Sequence, residues 1–145
     1  MINRLLISLV LFSALVLAAG NVFAHCEIPC GIYDDEMRMS LINEHAGTIE
    51  KSMNQIIELE KGGNANQLVR WVTNKEVHAN EVQHIVTQYF MTQRIKFDTP
   101  DYDKKLAALH EILVYAMKCK QTTDVTNVEM LRQAADRFHK LYFHD

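Results

Sequence analysis

Helix breakers are scarce in this chain. Its 145 residues include two prolines and five glycines, while residues of good helix propensity run throughout. That composition points away from short strands joined by Gly/Pro-rich turns and toward an all-helical domain. No basic run marks a nucleic-acid surface, and no acidic tail marks a disordered one. The sequence has no internal repeat and no low-complexity tract, and nothing in it marks a second domain. Cysteine occurs three times, at Cys26, Cys30 and Cys119, and an odd count cannot be paired off completely within one chain. Beyond the first 24 residues no segment is apolar enough to cross a bilayer.

Those first 24 residues read as a cleavable export leader. Asn3-Arg4 makes a short positive start, Leu5 to Ala19 is apolar, Gly20-Asn21 interrupts it, and Val22-Phe23-Ala24 is the small-residue pattern a signal peptidase reads. The competing reading is an uncleaved membrane anchor, since the apolar stretch is almost long enough to span. Cleavage after Ala24 leaves 121 residues, enough for one domain with one core. The leader removes only Arg4 from the charged set, so 14 basic and 18 acidic residues remain, a net of −4.

The body, 34–145, is expected to be an antiparallel four-helix bundle. Asp34-Asp35-Glu36 suits a helix start through capping and the macrodipole. The first helix then runs to about Lys61 with Leu41, Ile42, His45, Ile49, Met53, Ile56 and Ile57 on one side, and Gly62-Gly63 stops it. Asn64 or Asn66 caps a second helix over about 67–95, with Leu68, Trp71, Val72, Val82, Ile85, Val86 and Tyr89 inward. Residues 97–101, with Pro100, form a break. A third helix over about 103–120 turns Leu106, Leu109, His110, Leu113 and Met117 inward. A fourth, capped by Thr123 or Asp124, carries Leu131, Ala134, Ala135, Phe138, Leu141 and Tyr142. Trp71, Tyr89, Phe90 and Met91 are expected to leave apolar surface for subunit contact.

Two spacings on these helices resemble metal motifs of helical bundles, Glu81-x-x-His84 and Asp136-x-x-His139. Both fall off the apolar stripes and read as solvated faces. His45 and His110 lie on stripes and read as partly buried histidines with hydrogen-bond partners. Cys119 falls off its stripe and has no assigned role.

The concentrated chemistry lies at 25–33, His-Cys-Glu-Ile-Pro-Cys-Gly-Ile-Tyr. Cleavage before His25 creates a free amine beside an imidazole and two thiols. The His25 amine, the Cys26 amide nitrogen and the Cys26 sulfur chelate in one plane, and Cys30 closes the fourth corner if the chain turns at Pro29-Cys30-Gly31. A square-planar N₂S₂ set points to Ni(II) or Cu(II), whereas zinc prefers a tetrahedron. The His25 imidazole is placed to cap that plane axially. Electron-rich donors near solvent suit one-electron redox chemistry on a small diffusible substrate. A Cys26–Cys30 disulfide is the alternative, but it closes a very short loop and stabilises little.

This segment closely resembles the nickel hook of the nickel-containing superoxide dismutases, His-Cys-x-x-Pro-Cys-Gly-x-Tyr at a processed N-terminus, matching at His25, Cys26, Pro29, Cys30, Gly31 and Tyr33. Arg70-Trp71-Val72 and Tyr89-Phe90 also look similar to the family's. The resemblance implies a homohexamer of four-helix bundles with one nickel ion per subunit. It implies disproportionation of superoxide to oxygen and hydrogen peroxide with nickel cycling between Ni(II) and Ni(III). His25 would supply amine and imidazole, Cys26 amide nitrogen and thiolate, Cys30 the second thiolate, and Tyr33 would help position the anion and ordered water. Two departures stand out. Where some members hold the imidazole with a glutamate, this chain has Leu41, with Glu36 and Glu44 the nearest acids and Arg70 and Lys75 the candidates for an arginine partner. The leader resembles an export signal, which implies a leader-processing peptidase and a periplasmic or secreted enzyme. Two other readings remain at this point: an exported nickel or copper carrier using the same chelate, and a bundle whose Cys26–Cys30 pair is only a disulfide.

Overall fold

Asp34 starts the first helix by local chemistry: its side chain accepts a hydrogen bond from the Met37 backbone N–H at 2.9 Å. The computed structural model describes residues 31–143, so the leader, His25, Cys26 and Cys30 lie outside the described residues. Everything described belongs to one unit, Gly31–Asp145.

Helix α1 spans Asp35–Glu60 and ends where Gly62, at φ +127°, takes a backbone that other residues rarely adopt. Helix α2 spans Ala65–His84, with the Asn64 side chain accepting from the N–H groups of Asn66 and Gln67. It runs without a break into a π-helical segment, Ile85–Arg94. Helix α3 spans Tyr102–Gln121 and helix α4 spans Thr126–Phe143. The Asp124 carboxylate accepts from the Thr126 N–H at 3.0 Å, which settles the choice of cap for α4. The described residues form no strand, and none of their helices is long and apolar enough to cross a membrane.

Each helix packs chiefly on its neighbour in sequence, α1 on α2 and α3 on α4, while α2–α3 and α1–α4 contacts close the bundle. The four-helix expectation holds. Ile42, Ile49, Met53, Val82, Val86, Leu109, Ile112, Leu131 and Phe138 are fully buried at its centre. Ser52 is buried too, donating to the Thr48 carbonyl and accepting from Asn74, so its hydroxyl ties α1 to α2.

The inward face of α3 differs from the one expected. The buried positions are Lys105, Ala108, Leu109, Ile112, Ala116 and Cys119, while His110 and Met117 are exposed. The face is displaced by one residue, a rotation of about 100°. Small alanines fill the narrow centre of the bundle, and Leu106 and Leu113 pack on its flanks. Cys119 is therefore a core residue, contrary to its expected place off the stripe. Burial pushes its thiol up to about 11, which leaves it unreactive at neutral pH.

Helix α2 departs in the same way near its start. Val72 is exposed and Leu68 and Trp71 are half-buried, whereas Lys75 and Ala79 are buried. The Lys75 ammonium donates to the carbonyls of Lys120 and Thr122 at 2.6 and 3.2 Å, holding the C-terminal end of α3. Nor do Tyr89, Phe90 and Met91 form a subunit-contact surface. Tyr89 and Phe90 are buried and Met91 packs against the core. The exposed large apolar residues include Phe97, Ile32, Val69 and Val77.

Candidate functional site

One end of the bundle gathers the start of α1, the π-helical segment and the end of α4. Stacked and edge-on rings build its floor: Phe90 meets Phe138 with centroids 4.9 Å apart, and Phe138 stacks on Tyr142 at 5.2 Å. Asp35 sits above them. Its carboxylate accepts from Arg94 Nε at 2.9 and 3.1 Å and from Arg94 Nη2 at 2.8 Å. It also accepts from the Tyr89 hydroxyl at 2.5 Å and the Tyr142 hydroxyl at 2.8 Å. One carboxylate thus joins three elements that lie 54 to 107 residues apart in sequence.

The π-helical turn makes this convergence possible. In an α-helix, five residues overshoot one turn by about 140°, so Tyr89 and Arg94 would face different directions. Here the hydrogen bonds run five residues back, as from the Ile95 N–H to the Phe90 carbonyl at 2.9 Å, and residues five apart stack on one side. Tyr89 and Arg94 consequently reach the same carboxylate.

Tyr33, the last residue of the hook motif, lies against this cluster. The Arg94 guanidinium sits 4.4 Å from the Tyr33 ring centroid, and the Tyr33 ring meets Tyr89 edge-on at 5.8 Å. On the other side, the Arg38 guanidinium lies 4.9 Å from the Tyr89 centroid. The Arg38 Nε is buried with no hydrogen-bond partner among the described residues. The Tyr33 side chain is exposed. Gly31 has φ +76°, the left-handed turn that the motif's glycine was expected to permit.

The electrostatics follow from this packing. Burial pushes the Asp35 carboxyl up, but the hydrogen bonds from Arg94, Tyr89 and Tyr142 and the Arg94 charge outweigh it, and the net shift is downward. Arg94 is raised, first by its hydrogen bond to Asp35. Burial, then donation to the Asp35 anion, pushes Tyr89 and Tyr142 up to about 12. For a tyrosine, a raised value favours the neutral folded form. Its contribution to stability is therefore complete below the unfolded value of about 10 and is lost as pH rises toward 12. Tyrosinate absorbance should show these two hydroxyls titrating above the ordinary tyrosine value, and in Asp35→Ala both should return toward 10. Simultaneous ionisation of all tyrosines in the wild type would contradict the geometry.

The sequence singles out Tyr33 but carries no sign of Asp35, Arg94, Arg38 and Tyr142 as its surroundings. Arg70 and Lys75 do not belong there. Arg70 lines a groove with Thr48 and Lys51, about 20 Å along α1 from Asp35, and Lys75 is committed to the end of α3. Of the acids near Leu41, Glu36 pairs with His139 at 3.1 Å and Glu44 is exposed; Leu41 itself packs on the core. Among the described residues no group of three His, Cys, Asp or Glu side chains converges to hold a metal, and Glu81, His84 and Asp136 are exposed, as expected. His25, Cys26 and Cys30, the proposed ligands, lie outside the described residues.

Neither a curated protein nor a solved structure matches the chain. The family model for nickel-containing superoxide dismutase matches residues 20–145, a span that includes the hook motif, the cluster around Asp35 and all four helices. The chain therefore belongs to the nickel-containing superoxide dismutase family, oxidoreductases that use nickel as cofactor.

Proposed function

We propose that this chain disproportionates superoxide at its own processed N-terminus, with His25, Cys26 and Cys30 as the nickel ligands. The observation that carries the reading is the hook motif, 25–33, standing within the matched span. The donor set fits nickel chemically: two nitrogens and two thiolates, joined by short covalent links, favour planar coordination. Bound there, nickel supplies one-electron redox chemistry between Ni(II) and Ni(III). The balanced reaction takes two superoxide anions and two protons to one O₂ and one H₂O₂.

The chain's residues hold and orient. His25 would hold the nickel through its amine and imidazole, Cys26 through its amide nitrogen and thiolate, and Cys30 through its thiolate. The Tyr33 hydroxyl orients the incoming anion and water. Support for that role is its exposed position and a ring clamped between Arg94 and Tyr89. The Tyr89 hydroxyl is committed to Asp35, which keeps it a positioning group. The leader directs the chain out of the cytoplasm, to the periplasm or the exterior, where a leader-processing peptidase frees His25. The subunits assemble as a homohexamer with one nickel each; exposed Phe97, Ile32 and Val69 are apolar surface available for that contact.

Purified mature protein should begin at His25 and contain one nickel per chain. Its electron paramagnetic resonance spectrum should show rhombic low-spin Ni(III) split by one axial nitrogen. A chain beginning at Met1 would sink the proposed site, and a metallated protein giving only a Cu(II) signal would favour the carrier.

A further inference from the structure

Two histidines outside the hook motif face each other across the α1–α2 interface. His45 Nδ1 and His78 Nδ1 are 2.8 Å apart, with ring centroids at 5.0 Å and planes inclined by 56°. Both side chains are half-buried, so water and small ions reach them. We propose that this pair is a second, exchangeable site for a divalent transition-metal ion, separate from the N-terminal hook.

The separation itself is informative. With metal–nitrogen bonds of about 2.0–2.1 Å, two ligands at a right angle lie about 2.9 Å apart, and two tetrahedral ligands about 3.4 Å apart. The observed spacing matches the right-angle arrangement of square-planar or octahedral ions with almost no movement of either helix, and it does not match tetrahedral zinc. Imidazole nitrogens in that geometry suit Cu(II) and Ni(II). The pair is also preorganised, because α1 and α2 share the most extensive helix–helix packing in the bundle.

The competing arrangement is a plain hydrogen bond, one Nδ1–H donating to the other ring's lone pair. Metal binding needs this proton to move to Nε2 of the same ring and the two rings to turn so that both Nδ1 lone pairs aim at the ion. The balance is neutral in protons. The surroundings favour a cation. Glu44 is next to His45 in sequence and Glu81 lies one turn after His78; both are exposed, and both act electrostatically on His45. Burial and the neighbouring His78 nevertheless hold His45 below the ordinary histidine value, so its neutral, ligating form persists to lower pH. No third side chain converges among the described residues, so water would complete the coordination of the ion.

The test uses full-length mature chain carrying Cys26→Ser and Cys30→Ser, which removes the hook thiolates. Equilibrium dialysis against Cu(II) and Ni(II) should show one more equivalent bound than in the same protein with His78→Gln added. His45→Asn should give the same loss, and each should weaken binding by at least about tenfold. The Cu(II) spectrum should be tetragonal with hyperfine structure from two nitrogens that His78→Gln reduces to one. Metal should raise the thermal midpoint of the background protein and not of the His78→Gln protein. Equal stoichiometry in all variants, or a His45–His78 pair unmoved by metal in imidazole NMR, would leave only the hydrogen bond and overturn the site. The His25 amine and imidazole remain in every variant, so the readout is the difference between proteins that share them, and that difference is independent of whether the N-terminal reading holds.

Discussion

A mature chain carrying one extra residue before His25 is expected to fold normally and to lose dismutation. The extension turns the His25 amine into an amide. An α-amine ionises near 7.7–8.0, so its lone pair is accessible to a metal close to neutral pH. A peptide nitrogen must first surrender a strongly held proton. The extension also moves the new amine one residue away from the two sulfurs and enlarges the chelate. Loss of a primary ligand should exceed the 10–100-fold cost typical of altering groups behind the ligands, and we expect at least about 10³-fold in kcat/KM. Circular dichroism and thermal midpoint should match the unextended chain, because the bundle core lies in α1–α4. An extended protein with activity within tenfold of the mature one would remove the amine from the ligand set.

Asp35→Ala is expected to be the most damaging single substitution in the described residues. It strips Arg94 of its three hydrogen bonds and leaves the Tyr89 and Tyr142 hydroxyls without their acceptor. Breaking a buried charge pair from one side costs about 3–5 kcal/mol. Side-chain exposures of 15% for Asp35 and 28% for Arg94 allow some resolvation of the orphaned cation, which places the loss near 3 kcal/mol. Urea denaturation at neutral pH measures it directly. Asp35→Asn keeps the shape and one acceptor oxygen and should cost less. The pH dependence has a definite sign. The folded carboxyl is depressed, so its stabilisation is complete above the unfolded value of about 3.9 and is lost as pH falls through the lower folded value. The stability difference between wild type and Asp35→Ala should therefore narrow in acid. A difference that is constant down to pH 2 would mean that charge plays no part. Because Arg94 also covers the Tyr33 ring, the variant should raise the KM for superoxide more than a distant core substitution of equal cost.

The parts of the molecule legible in sequence are those whose physics is local. The N-caps Asp34, Asn64 and Asp124 act over two or three residues, and Gly62 ends α1 through its own backbone freedom. The proposed hook is more local still, since the donors it would use are joined by a handful of covalent bonds. The expected faces of α2 and α3 erred where a uniform apolar stripe was assumed. Lys75 and Lys105 are buried through contacts made by their far ends, with the end of α3 and with the Tyr142 ring, and residue polarity alone hides such positions.

By itself the sequence determined four helices and the capping chemistry at the starts of three of them; an export leader and a ligand set at 25–33 are what it suggests. Each depends on neighbours within a turn or on covalent spacing. Only the tertiary structure decided what stands behind Tyr33. The π-helical turn brings Arg94 alongside Tyr89, and chain closure brings Tyr142 to Asp35 from 107 residues away. A helical period of 3.6 puts Tyr89 and Arg94 on different faces, and no pattern along the chain encodes a meeting between its first helix and its last. The same holds for His45 and His78, 33 residues apart and in contact because α1 packs on α2.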